Sequence, residues 1–414
     1  METRLTDRRG FLAAAGGSAA VAAIGGGLRA EEAKPQAAAP SGPKVKFGLI
    51  GCGNRGRLIA KLFGQHGGFD VVAGADYFQD RVDELGKEMN VPADRLYTGL
   101  NGYKRLLESD VDAVAIETPP YFHPQQAADA VAAGKHVYVA KPIAVDVPGC
   151  QSVAASGQKA TEKKRVFLID FQTRADDFFI EALKRVHDGA LGELAFGEAV
   201  YHAECPFKRM YEGLQKPNPT AEDRLRAWGL DKVLSGDIIT EQNIHTLDVM
   251  NWIMGNQPPL WADGTGGRSQ RPVGDCWDHF VCMFQYPKNV GITFSSRQMT
   301  GHGTKPDGIR NRMFGTKGVL ETEYGGGVLI RGENFYRGGE NRQIYRTGIV
   351  ANIATFYKAI TGGDYSNQTV VPSVRSNLIT LLGRKAAYTG ERVTWEALMQ
   401  DETRLAFDTE GMKA

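Results

Sequence analysis

"KVKFGLIGCGNRGRLIAKLF", Lys44 to Phe63, decides how this chain folds. Its first seven residues read as a strand, and "NRGRLIAKLF" opens a helix with Leu58, Ile59, Leu62 and Phe63 on one side. Between them stands Gly51-x-Gly53-x-x-Gly56. The first glycine permits the tight turn and the second lets a pyrophosphate approach the backbone. The third lets helix and strand pack closely, and the free amides of the helix start face the anion. Three glycines are a weak signal in a chain that has 50. Their context strengthens it, because Asp76 closes the next strand, "DVVAGAD". A carboxylate there accepts from the ribose hydroxyls of an adenosine and repels a phosphate, which predicts NAD in preference to NADP. A glycine-rich turn beside a strand-end carboxylate is the plain structural alternative.

Outward from that stretch the alternation continues. "VDAVAIETPP" (Val111–Pro120) is an apolar run of the kind buried on both faces of a sheet. "HPQQAADAVAAG" reads as a helix with Pro124 near its start and Gly134 at its end, and "HVYVAKP" as the next strand. This spacing predicts an α/β domain with a doubly wound parallel sheet over residues 44–165. Asn54, Arg55, Thr118, Pro119 and His123 are its further candidates for cofactor contact, and Lys141 falls at the carboxyl edge where such sheets bind ligands. A lysine before a proline also suits an ordinary surface turn.

From residue 166 to 414 the pattern changes to an α+β one. "DDFFIEALKRVHDGALG" predicts a helix ending at Gly189, and "ELAFGEAVYH" a strand. A polar stretch follows over Pro206–Ser235. The strands "CWDHFVCMFQY", "VGITFSSRQM" and "GVLETEYGGGVLIRG" and helices at Ile349–Ile360 and Ser373–Tyr388 then predict a mostly antiparallel sheet with helices on one face.

At 414 residues, with 42% hydrophobic and 23% charged residues, the composition suits two soluble globular domains. A net charge of +1 gives no electrostatic case for nucleic acid or an anionic membrane. The 5 cysteines are scattered, so no disulfide framework can be read. Cys276 and Cys282, on one face of a strand, stand roughly 20 Å apart and share no metal; we expect no metal site.

The first thirty residues carry Arg8-Arg9 ahead of Phe11-Leu12 and a weakly apolar Ala/Gly run, too poor in Leu and Ile for a membrane span. The pair resembles a twin-arginine export signal, with cleavage expected near Ala30 and an extracytoplasmic, periplasmic destination. Residues 31–43 read as a Pro/Ala-rich linker.

"SGDIITEQNIHTLDVMNWIMG" reads as one helix. At 100° per residue Glu241, His245, Asp248 and Trp252 fall in one wedge, so that two carboxylates would orient the imidazole and keep it basic. A buried His–carboxylate pair that simply ties down the helix fits the same pattern.

Together GCGNRG, "VDAVAIETPPYFH", "AKPIAVD", "QTRADDFFIEALKRVHDGALGE", "EQNIHTLDVMNW" and "FGTKGVLE" resemble the Gfo/Idh/MocA family of glucose–fructose oxidoreductase and inositol dehydrogenase. The resemblance spans nearly everything after the linker. It implies a Rossmann domain, a second domain with an open-faced sheet, and a homodimer or homotetramer. It also implies an active-site lysine at Lys141 and a carboxylate–histidine pair at Glu241 and His245. The chain departs from the family at two points: Ala140 stands where Glu usually precedes the lysine, and Glu241 where Asp is usual.

The activity this implies is hydride transfer between a tightly held NAD and a secondary hydroxyl of a sugar, glycoside or cyclitol. His245 would take the hydroxyl proton, Glu241 would orient it, and Lys141 would stabilise the developing negative charge. Arg174, Tyr201, His202, Arg226, Trp228 and Asp248 are the candidates to line a sugar site. An exported enzyme cannot exchange reduced cofactor, so NAD must be regenerated in place. A second carbonyl substrate would do this, or a redox-neutral cleavage that oxidises a glycoside transiently, eliminates its aglycone and reduces it again. The net-redox reading leads, and a non-catalytic NAD-binding module is the weakest reading.

Overall fold

The computed structural model describes residue 40, residues 42–301 and residues 308–414. The arginine pair, the segment expected to direct export and most of the expected 31–43 linker lie outside the described residues.

Six strands form the first sheet: β1 (Val45–Ile50), β2 (Phe69–Asp76), β3 (Leu96–Thr98), β4 (Ala113–Ile116), β5 (His136–Ala140) and β6 (Phe167–Asp170). All pair in parallel in the order β3-β2-β1-β4-β5-β6. Helices α1 (Asn54–His66), α2 (Gln79–Met89), α3 (Gly102–Glu108), α4 (His123–Ala132) and α5 (Val147–Glu162) connect them. The strand order reverses between β1 and β4, which opens a crevice at their carboxyl ends. The sheet runs past the boundary expected at Arg165, because β6 pairs with β5 from Phe167 onward. The apolar run from Val111 is a strand only over four residues, after which Glu117–Pro120 turn along the rim of the crevice.

The second sheet has nine strands: β7 (Leu194–Ala203), β8 (Trp261–Gly267), β9 (His279–Tyr286), β10 (Val290–Gln298), β11 (Ile309–Gly315), β12 (Gly318–Glu323), β13 (Gly327–Gly332), β14 (Tyr336–Glu340) and β15 (Val393–Thr394). It is antiparallel except where β7 and β10 run together. Alternation along β9 buries Phe280, Cys282, Phe284 and Tyr286 beneath helices and leaves Val281 on the open face. "GVLETEYGGGVLIRG" is two strands rather than one. The chain turns at Tyr324–Gly326, where Gly325 has φ +77°, a conformation that glycine adopts without penalty. Cys276 lies before β9 begins, and all five cysteines are buried free thiols.

Between β6 and the end of the chain lie α6 (Asp177–His187), α7 (Ala221–Arg226), α8 (Lys232–Ser235), α9 (Ile238–Glu241), α10 (Ile244–Ile253), α11 (Ile344–Gly362), α12 (Val370–Thr389) and α13 (Trp395–Met399). The single helix expected over the Glu241–His245 stretch is broken at Gln242–Asn243 into α9 and α10. Helix α11 reaches back to the first sheet, where Ile349, Ile353 and Phe356 pack with Phe47, Phe63 and Tyr138. Phe356 meets Phe63 and Tyr138 edge-on at 6.2 and 5.7 Å between ring centres. No helix among the described residues is long and apolar enough to cross a membrane.

Candidate active site and cofactor cleft

The glycine loop closes at the carboxyl end of β1. Gly51 has φ +95°, and a Cβ there would stand 2.6 Å from the backbone of Glu117 and Thr118. A Cβ on Gly56 would stand 1.9 Å from the Gly51 carbonyl, so only glycine lets α1 lie against the strand. Gly53 differs: a Cβ there would meet only Arg81 Nη1, at 3.6 Å, and the position faces the cleft. No side chain caps α1, which leaves its first-turn amides for an anion. This is a cradle shaped for a pyrophosphate. Asp76 follows at the end of β2, where Oδ2 accepts from the Cys52 amide at 2.7 Å and Oδ1 from the Phe78 amide at 3.0 Å. Its carboxylate therefore fixes the loop as well as facing the cleft. Burial pushes its pKa up, and Arg81 pulls it down.

The cleft has a volume of about 890 Å³, toward the upper end for ligand pockets, and runs from Asp76 past the glycine loop to Lys141. Thr118, Pro119 and His123 line it. The buried His123 ring lies between the carbonyls of Thr118, 2.6 Å from Nε2, and Pro142, 2.8 Å from Nδ1, and its single N–H in the neutral form donates to one of them. Burial holds its pKa down at about 4.

At the other end Lys141, Glu241 and His245 converge. Lys141 Nζ donates to the main-chain carbonyl of Glu241 at 2.7 Å and stands 3.7 Å from its carboxylate Oε1. Burial lowers the lysine pKa, and Glu241 draws it back up. Glu241 does not orient His245 as the helical wedge predicted. The break at Gln242–Asn243 removes the continuous stripe, and the carboxylate turns to Lys141 and to Gln242 Nε2, 2.6 Å away. Gln242 in turn accepts from Tyr201 Oη at 2.5 Å, and Tyr201 lines the cleft beside the lysine–glutamate pair. His245 is not kept basic either. Burial first, then the cations Lys141 and Arg55, hold its pKa well below the ordinary value, and its Nδ1 has no protein partner. The imidazole is therefore neutral in the free protein.

Arg55 is not directed at a phosphate. Its guanidinium turns inward to Glu117 Oε2 (3.0 Å) and Asp170 Oδ2 (2.6 Å) and donates to Tyr345 Oη at 2.8 Å. Both carboxylates are fully buried. They flank β5 from the ends of β4 and β6, and Asp170 is the register partner of Ala140. Where residue 140 supplies no charge, Asp170 on the neighbouring strand acts on Lys141. Burial pushes Glu117 up to about 7 against the pull of Arg55.

Other expected sugar contacts fall elsewhere. Arg174 Nη2 binds Asp248 at 2.8 Å and its guanidinium covers the Trp252 ring; Asp248, three residues past His245 in α10, is fully buried, also accepts from Ser376 Oγ at 2.6 Å, and like Arg174 does not line the cleft. His202 sits on the outward side of β7, 3.1 Å from Ser295 Oγ. Arg226 lines the cleft at the Asp76 end, bound to Asp80, and Trp228 lines the same cleft. Tyr324, which the sequence reading missed, stands over His245 with ring centres 5.0 Å apart, its buried hydroxyl without a partner. A turn read at the Gly325–Gly327 run would have placed it at a strand end.

Residues 45–170 match the model for the oxidoreductase family with an NAD-binding Rossmann fold, and residues 179–321 match the GFO/IDH/MocA C-terminal domain. The chain belongs to the Gfo/Idh/MocA family. Its first domain is the NAD-binding Rossmann domain of that oxidoreductase family, and the open Gly53 face, the uncapped α1 and Asp76 suit that dinucleotide. Among curated relatives, the α-N-acetylgalactosaminidase of Shewanella oneidensis is 32% identical over 168 residues, 39% of this chain and 36% of that enzyme. This family member thus spans little more than a third of that relative's length. Among solved structures, myo-inositol 2-dehydrogenase of Lactobacillus plantarum superposes with a TM-score of 0.67 at 21% identity, over 85% of this chain and 99% of that one. A levoglucosan dehydrogenase complexed with NADH and levoglucosan gives 0.68 at 16%, over the same shares. Both share the fold.

Proposed function

We propose that this chain oxidises a secondary hydroxyl of a sugar, glycoside or cyclitol. The observation that carries the reading is the convergence of Lys141, Glu241 and His245 at the carboxyl edge of the parallel sheet, in the cleft that holds the glycine loop. NAD, when bound, supplies the hydride acceptor. The neutral His245 imidazole takes the hydroxyl proton. Lys141, held by Glu241, faces the same oxygen and stabilises its developing charge in a site shielded from water. The unpaired Tyr324 hydroxyl is a further donor for a polyol. The inositol and levoglucosan dehydrogenases of the same fold support a polyhydroxylated ring as substrate.

Export in the folded state, proposed from Arg8-Arg9, would carry NAD along and favour a cycle that regenerates it. One such cycle passes the hydride to a second carbonyl. The other oxidises a glycoside, loses the aglycone by elimination, adds water and returns the hydride; the likeness to an α-N-acetylgalactosaminidase favours it. Purified protein, without added cofactor, is incubated with free sugars, cyclitols and aryl glycosides. Paired oxidised and reduced products support the first cycle and released aglycone the second. Turnover of none of these, by protein shown to hold NAD, overturns the proposal.

A further inference from the structure

The far wall of the dinucleotide cleft is built by the second domain. Residues 205–230, between β7 and α8, form a small folded unit with its own apolar core of Cys205, Phe207, Leu214, Ala227 and Leu230. A capping box at Thr220 and Asp223 starts α7 within it. Three side-chain links run from this unit across the mouth of the cleft. Arg226 Nη1 and Nη2 donate to the two carboxylate oxygens of Asp80 at 2.9 and 3.1 Å, and its guanidinium lies 3.9 Å from the Phe78 ring centre. Tyr77 donates to Glu222 at 2.5 Å. Arg209 reaches the first residue of α1, where the Asn54 amide oxygen, turned toward it, accepts from Nη1 at 2.9 Å.

The segment after α13 seals the same edge. Phe407 and Met412 pack with Phe78 and Leu225, the Lys413 amide donates to Tyr77 Oη at 3.1 Å, and the Lys413 carbonyl accepts from Leu100 at 3.0 Å. Tyr77 and Phe78 directly follow Asp76, so these links close over the adenosine ribose end. The position of Arg209 is electrostatically unfavourable on its own, since a guanidinium beside the positive end of a helix is repelled. An anion between the two reverses that sign, and the pyrophosphate of NAD is the anion the glycine loop is shaped for.

We infer that residues 205–230 and 405–414 are the second half of the NAD site: Arg209 contacts the pyrophosphate, and the Arg226–Asp80 pair latches the wall over the adenosine, so that the cofactor is held as a resident group. This deepens the in-place regeneration proposed above and rests on that reading for its purpose, but it can be tested without any sugar.

NADH-loaded protein is chased with excess NAD, and the loss of bound-NADH fluorescence gives the exchange rate. Wild-type exchange is expected over many minutes, and Arg226→Ala to accelerate it three- to tenfold. The charge-swapped double variant Asp80→Arg/Arg226→Asp restores slow exchange, which a merely damaged fold does not. Arg209→Met is expected to weaken ADP-ribose at least fivefold and adenosine not at all. Wild-type exchange within seconds, an unchanged rate in Arg226→Ala, or equal losses of ADP-ribose and adenosine in Arg209→Met each overturn the inference. Fast exchange in an enzyme that still oxidises a sugar defeats the latch and spares the activity; slow exchange in protein inert toward every carbohydrate does the reverse.

Discussion

Lys141 is held to Glu241 twice over, by a 2.7 Å bond from Nζ to the main-chain carbonyl and by the carboxylate 3.7 Å away. Only the second attraction depends on the side chain. Glu241→Gln therefore leaves the lysine in place while removing the charge that raises its pKa against burial. The expected outcome is an alkaline limb of the kcat/KM profile displaced to lower pH, because Lys141 must be protonated to stabilise an oxyanion. Lys141→Met removes the group altogether and is expected to lower kcat by about a hundredfold or more. A pH–rate series on the two variants and the parent checks both.

His245 makes no bond to a carboxylate, so its part in turnover is its own. His245→Ala is expected to lower kcat by about a hundredfold or more, the usual contribution of a positioned base. A variant within about threefold of the parent would remove the imidazole from the reaction.

Asp76 bonds the Cys52 and Phe78 amides and faces the ribose end of the cleft. Asp76→Ala loses charged hydrogen bonds worth about 1.5–3 kcal/mol each, which predicts NAD binding weakened at least about tenfold. NADP binding is expected to weaken less or to improve, since the carboxylate that repels a 2′-phosphate is gone. Calorimetric titration with both dinucleotides gives the ratio.

Glu117 contributes a pH dependence of stability with a defined sign. Its folded pKa of about 7 lies above the ordinary 4.5, so its contribution is full below pH 4.5 and is lost as pH rises toward 7. His123 and His136, both held down at about 4 by burial, act in the opposite sense: they favour the fold above pH 6.5 and lose that effect as pH falls toward 4. The parent curve sums these with every other shifted group, His245 and Asp76 among them. The difference between parent and Glu117→Gln isolates the carboxyl, and it is expected to change by about 3 kcal/mol between pH 4.5 and 7. Urea unfolding at steps across that window measures it; a flat difference would place Glu117 as a carboxylate at all these pH values.

The glycine loop, the strand-end Asp76 and the lysine at the sheet edge were legible because each is fixed by local spacing. Strands β1, β2, β4 and β5 follow from apolar runs, and Gly134 has positive φ just past α4, where a stop was read. What local spacing could not supply was direction. Helical periodicity put Glu241, His245 and Asp248 on one stripe, but the break at Gln242–Asn243 turns the glutamate to Lys141, and Asp248 goes to Arg174. Arg55 sits in a loop that reads as phosphate-binding, yet two buried carboxylates from strands sixty and more residues away claim it. The wall over the cofactor was read only as a polar stretch, since its Arg226–Asp80 and Tyr77–Glu222 links join segments distant in sequence.

Arg174 and Asp248 give the last test, one that separates support from chemistry. The pair is buried, with Asp248 fully shielded and Ser376 bonded to the same carboxylate. Asp248→Ala leaves a guanidinium without its counter-charge in a nearly dry site, and breaking such a pair costs about 3–5 kcal/mol. A lower melting temperature is therefore expected, with the KM for substrate unchanged in the folded fraction. Replacing both members, as Arg174→Met with Asp248→Leu, removes the stranded charge and should recover much of the loss, since an apolar pair of similar volume is often as stable as the ion pair it replaces. If instead Asp248→Ala keeps the parental melting temperature and raises KM severalfold, the carboxylate reaches the substrate in the working enzyme and this assignment fails.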